Sequence, residues 1–206
     1  MPISPFDSKL FAGLFSDPTV AALFSDEAAI AAMLKAEVAL AKVQAGCGVI
    51  PQSAYRQIAE DLAEFAPDPA KLSEGTAQSG VPVPALLGAA RSVIGEKGRN
   101  FLHWGATSQD IVDTALVLRV KEALAHLEER IDRLLDIMAE LARTHADTTM
   151  VARTRWQQAI PTTLGYKLGM WADPLRRHLT RLAGIKPRLL VLSLGGAAGT
   201  LAAMGG

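Results

Sequence analysis

Cysteine is nearly absent: Cys47 stands alone in 206 residues. One thiol cannot close an intramolecular disulfide, so a disulfide-stapled fold is excluded, and the usage fits the reducing cytoplasm expected as the location. Cys47 lies between Gly46 and Gly48 at a predicted helix end, where a small buried thiol is expected rather than a nucleophile. Aromatics are scarce as well, with Trp 3, Tyr 2 and Phe 6 beside abundant Ala and Leu. That balance favours helices over sheets. Neither charge sign is in excess, since Lys plus Arg and Asp plus Glu both number 21. Without a basic surplus, neither nucleic acid nor an anionic membrane surface is expected as a partner. No apolar run is long enough to span a bilayer, and the N-terminus lacks a basic segment followed by an apolar core, so no signal peptide is expected. Neither a cofactor nor a metal is expected.

What is present is periodic apolar sequence, in a chain long enough for one domain or two. Phe6, Leu10, Phe11, Leu14, Phe15, Leu23 and Phe24 form short clusters broken by Ser16-Asp17-Pro18. Ser25 then caps a predicted helix with Asp26 and Glu27 in its first turn, running to Gly46 and Gly48. Pro51 opens a short second helix through Ile58 and Leu62. Residues 66–84, rich in Pro, Gly and Ser, read as loop. A third helix is expected from about Ala85 to Ile94. The longest element is predicted from Ser108 to about His145, roughly 55 Å at 1.5 Å per residue. Val120, Leu124, Leu127, Ile131, Leu134, Met138 and Leu141 alternate in steps of four and three along it, an a/d seam. Ile111, Ala115, Leu116 and Ala123 lie partly off that seam, as if a second face were covered. Such a helix belongs in a bundle of more than one chain. His126 and His145 are read as surface residues. A last helix, about Thr162 to Leu182, contains Pro174 and carries a solvated basic face at Arg176, Arg177, His178 and Arg181.

The chain's most informative stretch is His103 to Ala115, HWGATSQDIVDTA. Thr107 is followed three residues later by Asp110 and then by an apolar run, a capping-box pattern with Asp in place of Glu. A helix start exposes unpaired N–H groups and the positive end of the dipole, so two hydroxyls and a nearby histidine there suit a carboxylate. The plain alternative is that Thr107 and Ser108 only cap the helix and that His103 is structural. The stretch resembles the first signature region of the fumarase/aspartase superfamily, in the form of its adenylosuccinate lyase and carboxymuconate cycloisomerase branch. The segment from Ala36 through Pro51 also resembles the superfamily's N-terminal helix.

A second signature is matched by Arg153, Thr154, Ala159, Pro161, Thr163 and Gly165. Between them the sequence departs from the pattern: Arg155-Trp156-Gln157-Gln158 stands where the elimination lyases of the superfamily place histidines, one a general acid. Ser79 to Pro84 lacks a further histidine of the adenylosuccinate lyases. An amine leaving group needs a positioned acid, worth about 10²–10⁴-fold. A carboxylate, with a conjugate-acid pKa of about 4, leaves unaided. Carboxymuconate lactone opening and closing expels or adds such a carboxylate. Arg155 and Trp156 suit a flat, multiply charged diene acid, one by its guanidinium fork and one by its apolar face. The alternative for each is ordinary packing or a surface ion pair.

Leu192 to Thr200 holds a Gly-rich run without the Lys-Ser/Thr ending of a P-loop. It is similar to an LGGAAGT segment of the cycloisomerase branch, a turn and helix near the active site. The superfamily's third signature, a flexible loop bearing the serine base, is not reached by Gly206. The resemblance thus implies a truncated or proteolysed form of a longer enzyme, with an all-α fold incomplete at the C-terminus. A small helical domain over 1–106 would precede the first part of a central long-helix bundle over 107–206. It also implies a homotetramer, a small polycarboxylate substrate, and substrate contacts at His103, Thr107, Ser108, Gln109, Arg155, Trp156 and Gln158. Carboxymuconate cycloisomerisation is the expected activity. Adenylosuccinate-type elimination and a non-catalytic helical oligomerisation module are the alternatives.

Overall fold

A computed structural model describes residues 4–6 and 8–204. The architecture is helical apart from one small hairpin, and the chain divides into two compact units, Met1–Lys121 with Leu190–Gly206, and Glu122–Leu189.

In the first unit, α1 (Ala12–Phe15) and α2 (Pro18–Leu23) precede α3 (Asp26–Gly46), followed by α4 (Gln52–Asp61), α5 (Pro69–Ser79), α6 (Val83–Val93) and α7 (Glu96–Arg99). The signature segment then leads into α8 (Ser108–Thr144). Ser25 caps α3 as expected, its hydroxyl accepting from the Ala28 N–H at 3.2 Å. The supposed loop at 66–84 contains α5 instead. Asp68 accepts from the Ala70 N–H at 2.9 Å, Pro69 occupies the first turn, and Gly80 closes the helix at φ 77°. The residues that read as loop are therefore a helix's start and stop signals. α3 packs on α4 and α5, α4 on α7, and α5 on α6. Ile30, Met33, Ile58, Leu86, Ile94 and Leu102 fill the space between them and are buried. Ile111 and Ala115 join this core from the first turns of α8, whereas Leu116 is 43% exposed. Cys47 is exposed, contrary to expectation, and stands at the C-terminal cap of α3.

In the second unit, the later part of α8 is followed by strand β1 (Thr149–Thr154), strand β2 (Gln157–Thr163) and helix α9 (Leu164–Leu189). The antiparallel hairpin has no counterpart in the sequence reading. Thr149 pairs with Thr163 and Thr154 with Gln157, with an irregularity between Val151 and Arg153. Pro161 lies opposite Val151, tolerable because each strand of a two-stranded sheet is an edge. α9 runs seven residues past the expected end and through both Pro174 and Pro187. Along the heptad seam, Met138 is buried, yet Leu127, Leu134 and Leu141 are 42%, 44% and 41% exposed. His126 and His145 are half-buried rather than on the open surface, and His145 Nδ1 lies 3.1 Å from the Thr148 hydroxyl. Among the described residues, no helix is long and apolar enough to cross a membrane.

Ile58 is fully buried between α4 and α7. Truncating it to Ala should cost roughly 2–5 kcal/mol, as for other large-to-small core substitutions. Urea unfolding checks this, and a loss below about 1 kcal/mol would mean the packing is looser than described.

Candidate active site

The start of α8 is built around the Asp110 carboxylate, which is 4% exposed. One oxygen accepts from the Gly195 N–H at 2.8 Å, and the other accepts from the Thr107 and Gly196 N–H groups, both at 3.0 Å. The Thr107 bond is the backward arm of the capping box. The two glycine bonds tie the Gly-rich segment, distant in sequence, to the helix start. Thr114 strengthens the tie by donating to the Ser193 carbonyl at 3.2 Å. Burial by itself pushes the Asp110 carboxyl pKa up, but the three backbone donors, aided by His103, outweigh it and hold the group below its ordinary 3.8.

Two glycines permit this approach. Gly105 has φ 70°, and a Cβ there would stand 2.5 Å from Met204 Cγ. Gly196 has φ 68°, and its Cβ would meet the Gly105 carbonyl oxygen at 3.2 Å. Both require the left-handed conformation that glycine adopts at little cost.

The segment before the helix is clamped by buried polar side chains. Glu37, 1% exposed, lies 2.6 Å from His103 Nδ1 through Oε1. Gln44, two turns further along α3, donates to the Trp104 carbonyl at 2.7 Å. Arg91 of α6 donates to the Leu102 carbonyl at 3.2 Å. His103 itself has φ 63°, a left-handed conformation for which histidine is enriched. Glu37 and Gln44 carried a signal that the sequence reading passed over: with Ile30, Met33 and Ala41 they share one helical face, so a charge and an amide interrupt an otherwise apolar stripe.

Of the residues singled out in the sequence, the structure brings His103, Thr107 and Ser108 together at this helix start. Thr107 and Ser108 are half-buried, and no protein hydrogen bond engages either hydroxyl among the described residues. Capping falls to Asp110, so the hydroxyls are left open to a ligand. Gln109 is exposed, and its amide donates to Asp113 at 2.6 Å along the helix surface. Arg155, Trp156 and Gln158 belong to the second unit, at the tip of its hairpin. Arg155 and Trp156 are the two loop residues between β1 and β2, with φ 40° and 68°. A two-residue turn of this hand normally takes Asn or Gly, so two large side chains there are held against local preference. Trp156 packs against nothing among the described residues, being 101% exposed.

Behind Asp110, in the first unit, lies a cavity of about 330 Å³ lined by Val43, Ile111, Leu118, Leu192 and Leu194, with Lys35 at its wall. Its lining is almost wholly apolar, which suits no polycarboxylate. Among the described residues, no group of three or more His, Cys, Asp or Glu is placed to hold a metal ion.

The sequence profile of a lyase family matches residues 15–205. The chain belongs to this family. It is 41% identical to a 3-carboxy-cis,cis-muconate cycloisomerase of Pseudomonas aeruginosa, over 96% of this chain and 44% of that protein. It is 37% identical to an adenylosuccinate lyase of Methanocaldococcus jannaschii, over 100% of this chain and 43% of that one. A crystal structure of 3-carboxy-cis,cis-muconate lactonizing enzyme from Pseudomonas putida superposes with a TM-score of 0.90 at 39% identity, covering 96% of this chain and 46% of that one. The chain thus spans less than half the length of the relatives it matches.

Because the folded pKa of Asp110 is depressed, its contribution to stability is complete above its ordinary value and fades as pH falls through the folded one. Asp110→Asn should destabilise the chain by at least about 2 kcal/mol at pH 7, since charge-assisted bonds are weakened and an amide donor faces backbone donors. The gap from wild type should narrow below pH 3.8. Denaturant unfolding of both proteins at pH 7 and pH 3 measures it; an equal gap at both would mean that the charge contributes nothing.

Proposed function

We propose that the chain is the N-terminal portion of a 3-carboxy-cis,cis-muconate cycloisomerase. The observation that carries the reading is the hairpin tip, where Arg155 stands beside an exposed Trp156; the resemblance to the second signature implies that amine-expelling lyases place an acid histidine there. In cycloisomerisation an internal carboxylate oxygen adds to the conjugated alkene, a C–O bond forms, and the electron pair moves onto the carbon beside another carboxylate. That carbon then takes a proton. In reverse, the proton is removed and the carboxylate departs. The leaving group is a weak base throughout, so no acid is needed to expel it. What the reaction needs is stabilisation of negative charge gathering on a carboxylate.

In this reading the open hydroxyls of Thr107 and Ser108 and the positive end of α8 hold that carboxylate, with His103 beside them. Gln109 keeps the first turn in order through Asp113. A hairpin from another copy of the chain would bring Arg155 to pair with a second carboxylate, Trp156 to cover the diene and Gln158 to donate to a carboxylate oxygen. None of these residues is assigned as the base that moves the proton. Charge supports an assembled site: Asp110 and Glu37 are both acidic and offset part of the helix dipole, so a tricarboxylate needs cations from elsewhere. The exposed Leu127, Leu134, Ile137 and Leu141 of α8, together with Met170 and Trp171 of α9, support burial of these helices between copies in a homotetramer.

Adenylosuccinate-type elimination is the second reading, favoured by the 37% identity to an adenylosuccinate lyase. The deciding assay is loss of diene absorbance on adding 3-carboxy-cis,cis-muconate to this chain and to the chain continued by the C-terminal half its relatives have. Turnover by the continued protein alone is expected, with Ser108→Ala lowering kcat/KM by about 10²-fold for loss of one oxyanion donor. Release of fumarate from adenylosuccinate, with no loss of diene, would transfer the protein to the second reading. Multimers without affinity for either acid would make it an oligomerisation module.

A further inference from the structure

Glu37 is a carboxylate in the core of the first unit, 1% exposed, and the position of its two oxygens is unequal. Oε1 lies 2.6 Å from His103 Nδ1, while Oε2 has no hydrogen-bond partner among the described residues. Nothing in the packing of α3 demands an acid there, because its neighbours on the same face are Met33, Ala41 and other core residues. An apolar side chain would fill the site without leaving an oxygen bare. The ring it meets is different in character: the His103 side chain is 13% exposed, so one edge is held in the core and the other reaches the surface beside the start of α8. The separation is short even for a charge-assisted bond, in which a carboxylate accepts from an N–H.

We propose that Glu37 is a positioning residue: it fixes His103 as the Nδ1–H form, leaving Nε2 as the single ring atom presented at the helix start. The inference rests on the reading of that helix start as a carboxylate site. An ionised carboxylate at this point can only accept a hydrogen bond from Nδ1–H, so the tautomer is set by the chemistry of the partner. When Nε2 takes up a proton, the resulting imidazolium is balanced by Glu37 behind it and becomes a donor to a ligand carboxylate. Among the described residues, the charged groups that interact with the ring are Glu37 from α3 and Asp110 from α8, while Arg91 of α6 holds the neighbouring Leu102 carbonyl. Carboxylate binding is thereby coupled to proton uptake at His103. A glutamine in place of Glu37 keeps the shape but can donate as well as accept, so both tautomers become accessible.

The test is nitrogen-15 NMR of the His103 ring in the wild-type chain and in Glu37→Gln, each titrated with 3-carboxy-cis,cis-muconate between pH 6 and pH 8. In the free wild type the proton should sit on Nδ1, and the variant should show a mixture. Wild-type affinity should rise as pH falls, and Glu37→Gln should weaken it about tenfold at the acid end and flatten the pH profile, the scale of losing one hydrogen bond to a charged group. A wild-type ring with its neutral proton on Nε2 overturns the proposal by itself, whether or not the variant folds. So does a variant with the wild-type tautomer and pH profile. Absence of binding by the wild type would count against the cycloisomerase reading, while the ring spectra of the free proteins would still decide the role of Glu37.

Discussion

The Asp110 carboxylate holds together parts of the chain that would otherwise have no reason to meet. The run Gly195 to Gly199 is made of small residues with little side chain to pack, so its position is fixed, beside the flanking Leu192 and Leu194, by backbone hydrogen bonds. Asp110 supplies them and, with the same carboxylate, closes the first turn of a 37-residue helix. Burying a charge is unfavourable unless donors surround it, and here three backbone N–H groups do so. Glycine at positions 105 and 196 suits this arrangement, since both have positive φ and a Cβ at either would crowd the facing segment.

The same economy explains the polar groups behind the site. Glu37 and Gln44 sit on the buried face of α3 and grip two consecutive residues, His103 and Trp104. A left-handed histidine is a conformation that the chain would not choose alone, and these contacts with Arg91 determine it from outside. Asp110 does the work of the cap, so the Thr107 and Ser108 hydroxyls are not consumed by the helix. That division of labour turns a helix start into a candidate ligand site.

Much of this could be read in the sequence where local signals and the fold agree. Ser25 with two following acids marked α3, and the Thr107–Asp110 spacing placed the start of α8. The reading failed where one residue type serves two purposes. Asp68, Pro69 and Gly80 look like loop residues but are the cap, first turn and terminator of α5. The hairpin carries no Asn-Gly turn and includes Pro161, so pattern alone argued against strands; its tip instead uses Arg155 and Trp156 against their preference. Contacts between distant segments were not accessible to pattern at all. Asp110 could be seen as a capping residue, but not as the partner of Gly195 and Gly196, which lie 85 and 86 positions away. Glu37 was visible as a charge on an apolar stripe, although only the fold shows that His103 is its partner.

Amide hydrogen exchange at Thr107, Gly195 and Gly196 tests the central claim most directly. These three N–H groups donate to one buried carboxylate, so they should exchange far more slowly than Ala197 and Ala198 of the same glycine-rich segment. Their protection should also be lost together on acidification through the Asp110 pKa. Exchange of Gly195 and Gly196 at the rate of their loop neighbours would contradict the account, because the segment would then be held by something other than Asp110.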